Sequence, residues 1–185
     1  MQTAREKISK ARFQFLLDHP FLGDLSLRLV VKEGHTPTMG TDAKHLLFAP
    51  EFVDSLSAQD LMGVIAHEIA HCIFGHAGPQ GIKRATGYNQ DIWGMACEYM
   101  VNHFVVDLCE LSLPGKYFHD RKYASGDWTT EEIYHDLMAN IEFNTGSGMV
   151  IIDDHAQWGK DKENNGHIKT TQDMGDLDAD WQIWM

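Results

Sequence analysis

The chain has 185 residues, a formal net charge of -12 and 43% hydrophobic content, which suits one soluble domain with a real core. So acidic a balance excludes a nucleic-acid backbone as partner, because phosphate binding requires a basic surface. No apolar run approaches the roughly 20 residues of a membrane span, and Met1 to Lys7 lacks a signal peptide's apolar segment, so no membrane role is expected and the expected compartment is the cytoplasm.

Thr3 to Asp18 reads as an amphipathic helix, with Ile8, Ala11, Phe15 and Leu16 on one face and Arg5, Lys7, Lys10 and Arg12 mostly outside it; His19-Pro20 ends it. Leu25 to Val31 alternates like a half-buried strand, Gly34 to Pro37 supplies a turn, and a second extended stretch from Thr38 to Phe48 closes at Pro50. Such a pair of strands would form a small sheet with one edge over a cleft, where an extended peptide could add as a further strand.

Next comes His67-Glu68-Ile69-Ala70-His71, set in an apolar run from Leu61 to Phe74 that is long enough for a buried helix. Ser57 with Asp60 reads as an N-cap and box-like partner that starts this helix near Ala58, and Gly75 as its stop. Histidines four apart on a helix share one face, so both imidazoles can converge on one metal ion, and the adjacent Glu68 can reach a water beside it. This is the H-E-x-x-H pattern of zinc peptidases, with the histidines as ligands and the glutamate as general base.

Ala77 to Tyr88 reads as a Gly-rich loop carrying Lys83 and Arg84, followed by a helix from about Gln90 to Leu111 that ends before Pro114. Glu98 falls on a stripe of that helix with Gly94, Val101, Val105 and Leu108 and has no basic residue one turn away. A carboxylate among such neighbours needs compensation, which favours Glu98 as third metal ligand over Asp91, Asp107 and Glu110, each nearer a helix end. Asn102, one turn on, is placed to orient that carboxylate. The longer pattern with a third histidine at position 77 is excluded by Phe74 and Ala77. His76 points away from a continuous helix face and is given a capping or supporting role. Cys72, Cys97 and Cys109 form no C-x-x-C pair and read as small buried hydrophobes.

Asp127 to Asn140 reads as a third helix opened by Thr129 or Thr130. Val150 to Ile152 reads as a brief strand that delivers Asp153, Asp154, His155 and Trp158 to its end. His155, oriented and kept cationic by two aspartates, is the first choice to stabilise an oxyanion; Tyr134 and Tyr123 follow. Residues 159–185 are polar and Gly- and Asp-rich, predicting a flexible tail beyond a domain of residues 1–158; its apolar end, Trp181 to Met185, suggests either a truncation point before a missing C-terminal domain or a segment that packs back.

Gly63 to His71, Phe74-Gly75-His76, Trp93 to Asn102 and Leu113-Pro114 together resemble the zinc metallopeptidase domain found in front of von Willebrand A-like domains in bacterial and phage proteins. Thr41-Asp42, Phe48 to Phe52 and Ile133-Tyr134 resemble it too, so that the likeness spans roughly residues 5 to 158. It implies an α+β, zincin-like fold, with the metal-site helix and a second ligand helix beside a small sheet, and peptidase activity. The chain departs from that family in having glutamate at position 98, where aspartate is common, and in lacking the A-like domain.

The expected activity is hydrolysis of a protein or peptide substrate by a zinc-dependent peptidase in which His67, His71 and Glu98 hold Zn2+ and Glu68 activates water. Two other classes fit the same residues: a catalytically silent scaffold whose metal is structural and whose cleft holds a partner protein, and a zinc hydrolase of a non-peptide amide. An intact Glu68 weighs against the scaffold, since a structural site has no use for a base.

Overall fold

The computed structural model describes residues 2–140. The chain begins with α1 (Ala4–Asp18). Thr3 caps it reciprocally: its Oγ1 accepts the Glu6 N–H at 3.2 Å, and its own N–H donates to Glu6 Oε2 at 2.8 Å. Ile8, Ala11 and Phe15 are buried as expected, whereas Leu16 is 37% exposed.

The first departure from the sequence reading follows at once, because residues 20–28 form a helix, α2 (Pro20–Arg28), rather than the opening of a strand. A strand would have put Leu25, Leu27 and Leu29 on one face. The fold instead buries Leu22, Leu25 and Leu29, spaced three and four apart, and leaves Leu27 outside. Arg12, expected to stand clear of the packed face, donates to the Ser26 carbonyl and, at 3.2 Å, to that of Leu29, closing the end of α2.

The strand is confined to β1 (Val30–Glu33). The stretch from Thr38 is broken into β2 (Met39–Thr41) and β3 (His45–Phe48) by a tight turn. Asp42 makes that turn, its Oδ1 accepting the N–H groups of Lys44 at 2.9 Å and His45 at 2.6 Å, while Ala43 takes φ 71°. The sheet order is β1-β3-β2. β1 runs parallel to β3, pairing Val30 with His45, and β2 runs antiparallel to it, pairing Met39 with Phe48.

A short helix, α3 (Pro50–Ser55), precedes the motif helix α4 (Ala58–Ile73). Ser57 Oγ accepts the Asp60 N–H at 3.0 Å and donates to Asp60 Oδ2 at 2.7 Å, so α4 starts where the sequence places it. It stops at Phe74, and Gly75 takes φ 62°. The expected loop after it contains α5 (Gly78–Ala85).

Asn89 then caps α6 (Gln90–His103), which continues as a single π-helical turn, Phe104–Leu108. Glu110 takes φ 55° and turns the chain back. The last described element is α7 (Thr130–Asn140), started by Thr129 and Glu132 in another reciprocal cap. The architecture is α+β, as expected: helices carry the bulk of the fold and pack on a small three-stranded sheet.

Among the described residues, two apolar clusters form the interior. The larger joins α1, α2, the sheet and α4 with Val101 and Val105; the smaller joins Ile92, Trp93, Ala96 and Cys97 of α6 with Ala85, Tyr123, Ile133 and Tyr134. α4 and α6 meet where these clusters adjoin, and that seam carries the polar groups described next.

Candidate metal centre

His67 and His71 project from one face of α4, and Glu98 faces them from α6. The two Nε2 atoms are 3.0 Å apart, and Glu98 Oε1 lies 3.5 Å from that of His67 and 3.6 Å from that of His71. A tetrahedral ion with bonds of about 2.0 to 2.1 Å holds its ligand atoms roughly 3.3 Å apart, so this triangle fits one ion of that size. All three side chains are withdrawn from solvent, as is Glu68. Two nitrogen bases and a carboxylate converging in a dry place suit a divalent cation, which offsets the cost of burying them.

The hydrogen bonds behind the imidazoles fix which ring nitrogens face inward. Asn102 lies within 3.0 Å of the Phe118 carbonyl and must present its Nδ2 there, since a carbonyl only accepts. Its Oδ1 is therefore the atom 3.0 Å from His67 Nδ1, and that nitrogen carries the proton. His67 Nε2 is thus bare and faces Glu98 and His71. The same Nδ2 lies 3.4 Å from Glu98 Oε2, so Asn102 steadies two of the three converging groups, consistent with the orienting role read from the sequence.

His71 is backed by a second chain of contacts. Its Nδ1 is 3.3 Å from His76 Nδ1, and His76 Nε2 is 2.7 Å from Thr130 Oγ1 at the start of α7. When His71 Nε2 is given to an ion, its Nδ1–H would donate to His76, whose Nε2–H would donate in turn to Thr130; without an ion, His71 Nε2 lies at hydrogen-bond distance from His67 Nε2. His76 can take this supporting position because α4 stops at Phe74 and the chain reverses at Gly75, bringing the His76 ring back to His71.

Arg84 sits beside this end of α4. It donates to the Phe74 carbonyl and forms a two-pronged pair with Glu131, at 2.9 Å and 2.8 Å. Burial alone would raise the Glu131 carboxyl, but the Arg84 hydrogen bonds and charge hold it below its ordinary value. On the other flank, β2 packs against α4, and the Thr41 hydroxyl lies 3.6 Å from Cys72 Sγ, one turn after Glu68. Burial first, with the neighbouring Glu68 and Asp42 charges adding to it, pushes the Cys72 thiol far up and keeps it un-ionised.

Several expected site residues lie elsewhere. Tyr134 accepts the Asn89 N–H at 3.0 Å and Tyr123 donates to Asp136 at 2.7 Å, so both hydroxyls are engaged away from the triangle in joining α7 to its surroundings. Asp107 pairs with two other histidines. Asp91 is exposed at the start of α6, and Glu110 is exposed beyond the π turn. His155, with the strand expected at 150–152 and the tail from 159, lies outside the described residues. The sequence reading put one edge of the sheet over a cleft without saying which; at the β2 edge, which packs against α4, each residue is buried.

The fold and the convergent triad define an α+β domain with a candidate metal-binding group. The sequence matches the family described as "Putative metallopeptidase domain" over residues 3–182, and the chain belongs to that family. No curated protein and no solved structure matches it significantly.

Proposed function

We propose that this domain is a zinc-dependent peptidase in which His67, His71 and Glu98 hold the ion and Glu68 is the general base. The reading is carried by the placement of three ligand atoms within 4.8 Å of one another beside the buried Glu68. When bound, zinc would polarise the scissile carbonyl and bring the acidity of a water toward neutral pH. Glu68 would take the proton of the attacking water and return it to the departing amine. Asn102 and His76 would keep both imidazoles presenting a bare nitrogen, so that neither ring has to turn over when the ion binds. Two imidazoles and one carboxylate, with no thiolate, favour zinc in this sequence pattern. Its substrate would be a protein or peptide, and His155 remains the first choice for oxyanion stabilisation because both tyrosine hydroxyls have other partners.

Metal content and peptide release from a mixed substrate pool, measured for the wild type and for Glu68→Gln, test the proposal. Both proteins should retain zinc, and the variant should cleave about 100- to 10,000-fold more slowly, the usual share of a general base. Zinc retained without any Glu68-dependent cleavage would favour a structural clamp beneath a partner protein. Turnover restricted to non-peptide amides would move the chain to another class of hydrolase.

A further inference from the structure

Asp107 lies in the π turn that extends α6, away from the metal triangle, yet it is the meeting point of two histidines. His103 Nδ1 and His119 Nε2 each lie 2.7 Å from the same oxygen, Asp107 Oδ2. His103 is buried on α6, whereas His119 belongs to the loop that returns alongside that helix after Glu110. The carboxylate therefore fastens the returning loop to α6.

What the loop delivers at that place is a backbone oxygen. The Phe118 carbonyl belongs to the peptide unit between Phe118 and His119, and it accepts the Asn102 Nδ2–H. That peptide is anchored on both sides. The Phe118 ring is buried edge-on against Tyr99, with centroids 5.5 Å apart, and the His119 ring is held by Asp107. With both flanking side chains fixed, the peptide plane has little freedom to turn its oxygen from Asn102. The Asn102 amide is held the right way round by that oxygen, and its Oδ1 sets the His67 tautomer.

We propose that Asp107 is a positioning residue for the metal site, acting through His119, the Phe118 carbonyl and Asn102 on His67 and Glu98. It touches none of the ligands itself. The His103 hydrogen bond first, then that from His119, hold the Asp107 carboxyl below the ordinary carboxylate range, so the clasp stays ionised at neutral pH. A carboxylate is well suited to this place because one oxygen can accept from two imidazoles at once. The inference rests on the proposed metal site for its consequence, and on the described hydrogen bonds for its geometry.

The test uses the full chain and Zn2+ alone, with affinity read by competition against a chromophoric chelator. Asn102→Ala should weaken binding about 10- to 100-fold, as loss of a group that orients a ligand usually does. His119→Ala, at a partly exposed position that leaves the His103 pair in place, should weaken it by a smaller factor, roughly 3- to 10-fold. Asp107→Asn, which keeps an accepting oxygen, should recover most of what Asp107→Ala loses. The decisive comparison is the pair Asn102→Ala with His119→Ala: combined, they should bind no more weakly than Asn102→Ala alone. Losses that multiply would show that the loop does not act through Asn102 and would overturn the proposal.

Nitrogen-15 shifts of His67 in the metal-free protein give a second readout that a merely stabilising clasp would not move. The wild type should show the Nδ1-protonated tautomer and His119→Ala a shift toward the other; an unchanged tautomer would also overturn the proposal. If the wild type binds no zinc, the peptidase reading falls, and this tautomer comparison alone decides the clasp.

Discussion

Gly63 stands one turn before His67 on α4, where the backbone of the returning chain crosses the helix. A Cβ built on Gly63 would lie 1.7 Å from the Ser112 carbonyl oxygen and 2.8 Å from its carbon. Exchanging glycine for alanine within a helix ordinarily gains about 1 kcal/mol. Here the neighbour is main chain and cannot swing aside, so either α4 or the Ser112 segment must shift by more than about 1 Å, and overpacking of that kind costs about 1 to 3 kcal/mol or more. The shift would also strain the bond from Ser112 Oγ to Asp60 Oδ1, now 3.1 Å, which ties the segment to the first turn of α4. A main-chain clash this close belongs at the upper end of that range, so about 3 kcal/mol lost against about 1 gained leaves Gly63→Ala a net ~2 kcal/mol less stable, seen in urea unfolding as a midpoint lowered by about 1 M at an m-value near 2 kcal/mol/M. Because residues 112–119 carry the Phe118 carbonyl, zinc affinity should fall with it. A variant as stable as the wild type would refute the packing argument, since helix propensity alone would then have won.

Other outcomes follow from the same structure. Arg84→Met should lower the melting temperature and flatten its acid dependence. The Glu131 carboxyl, held low by Arg84, contributes stability above its unfolded value of about 4.3 and loses it as pH falls through the folded one, so a variant as acid-sensitive as the wild type would contradict the pairing. The buried Cys72 thiol should be alkylated by iodoacetamide only at the rate of unfolding; rapid labelling of native protein, located by mass spectrometry, would show that it is accessible. Zinc at about 100 times its dissociation constant should add ~2.7 kcal/mol of stability, a rise in Tm of roughly 5 to 10 °C that a chelator reverses; no shift would count against a site formed by the native fold.

The motif helix was legible in the sequence because its signals are local: Ser57 and Asp60 at one end, Gly75 at the other, and apolar spacing between. The burial of Glu98 was legible by its neighbours, as a carboxylate on an apolar stripe. α2 was not, because Leu25, Leu27 and Leu29 satisfy a strand period while Leu22, Leu25 and Leu29 satisfy a helical one, and only packing against α1 selects between them. α5 was hidden by its composition. Pro79 sits harmlessly in its first turn, and Gly81 is required there because a Cβ would meet the His76 carbonyl at 1.9 Å. The supports of the site were hardest to read. A carbonyl such as that of Phe118 has no residue-type signature, and Thr130 and Arg84 reach His76 and the end of α4 from distant segments.

The depth at which the ligand triangle lies separates two properties that are often conflated, how tightly an ion is held and how fast it trades places with solvent. With every converging side chain buried, an ion would enter or leave only through a transient opening of the protein, and the proposed peptide substrate would need an opening at least as wide. Strong chelators should then strip the protein at a rate that stops rising with their concentration, and that plateau measures how often the interior breathes.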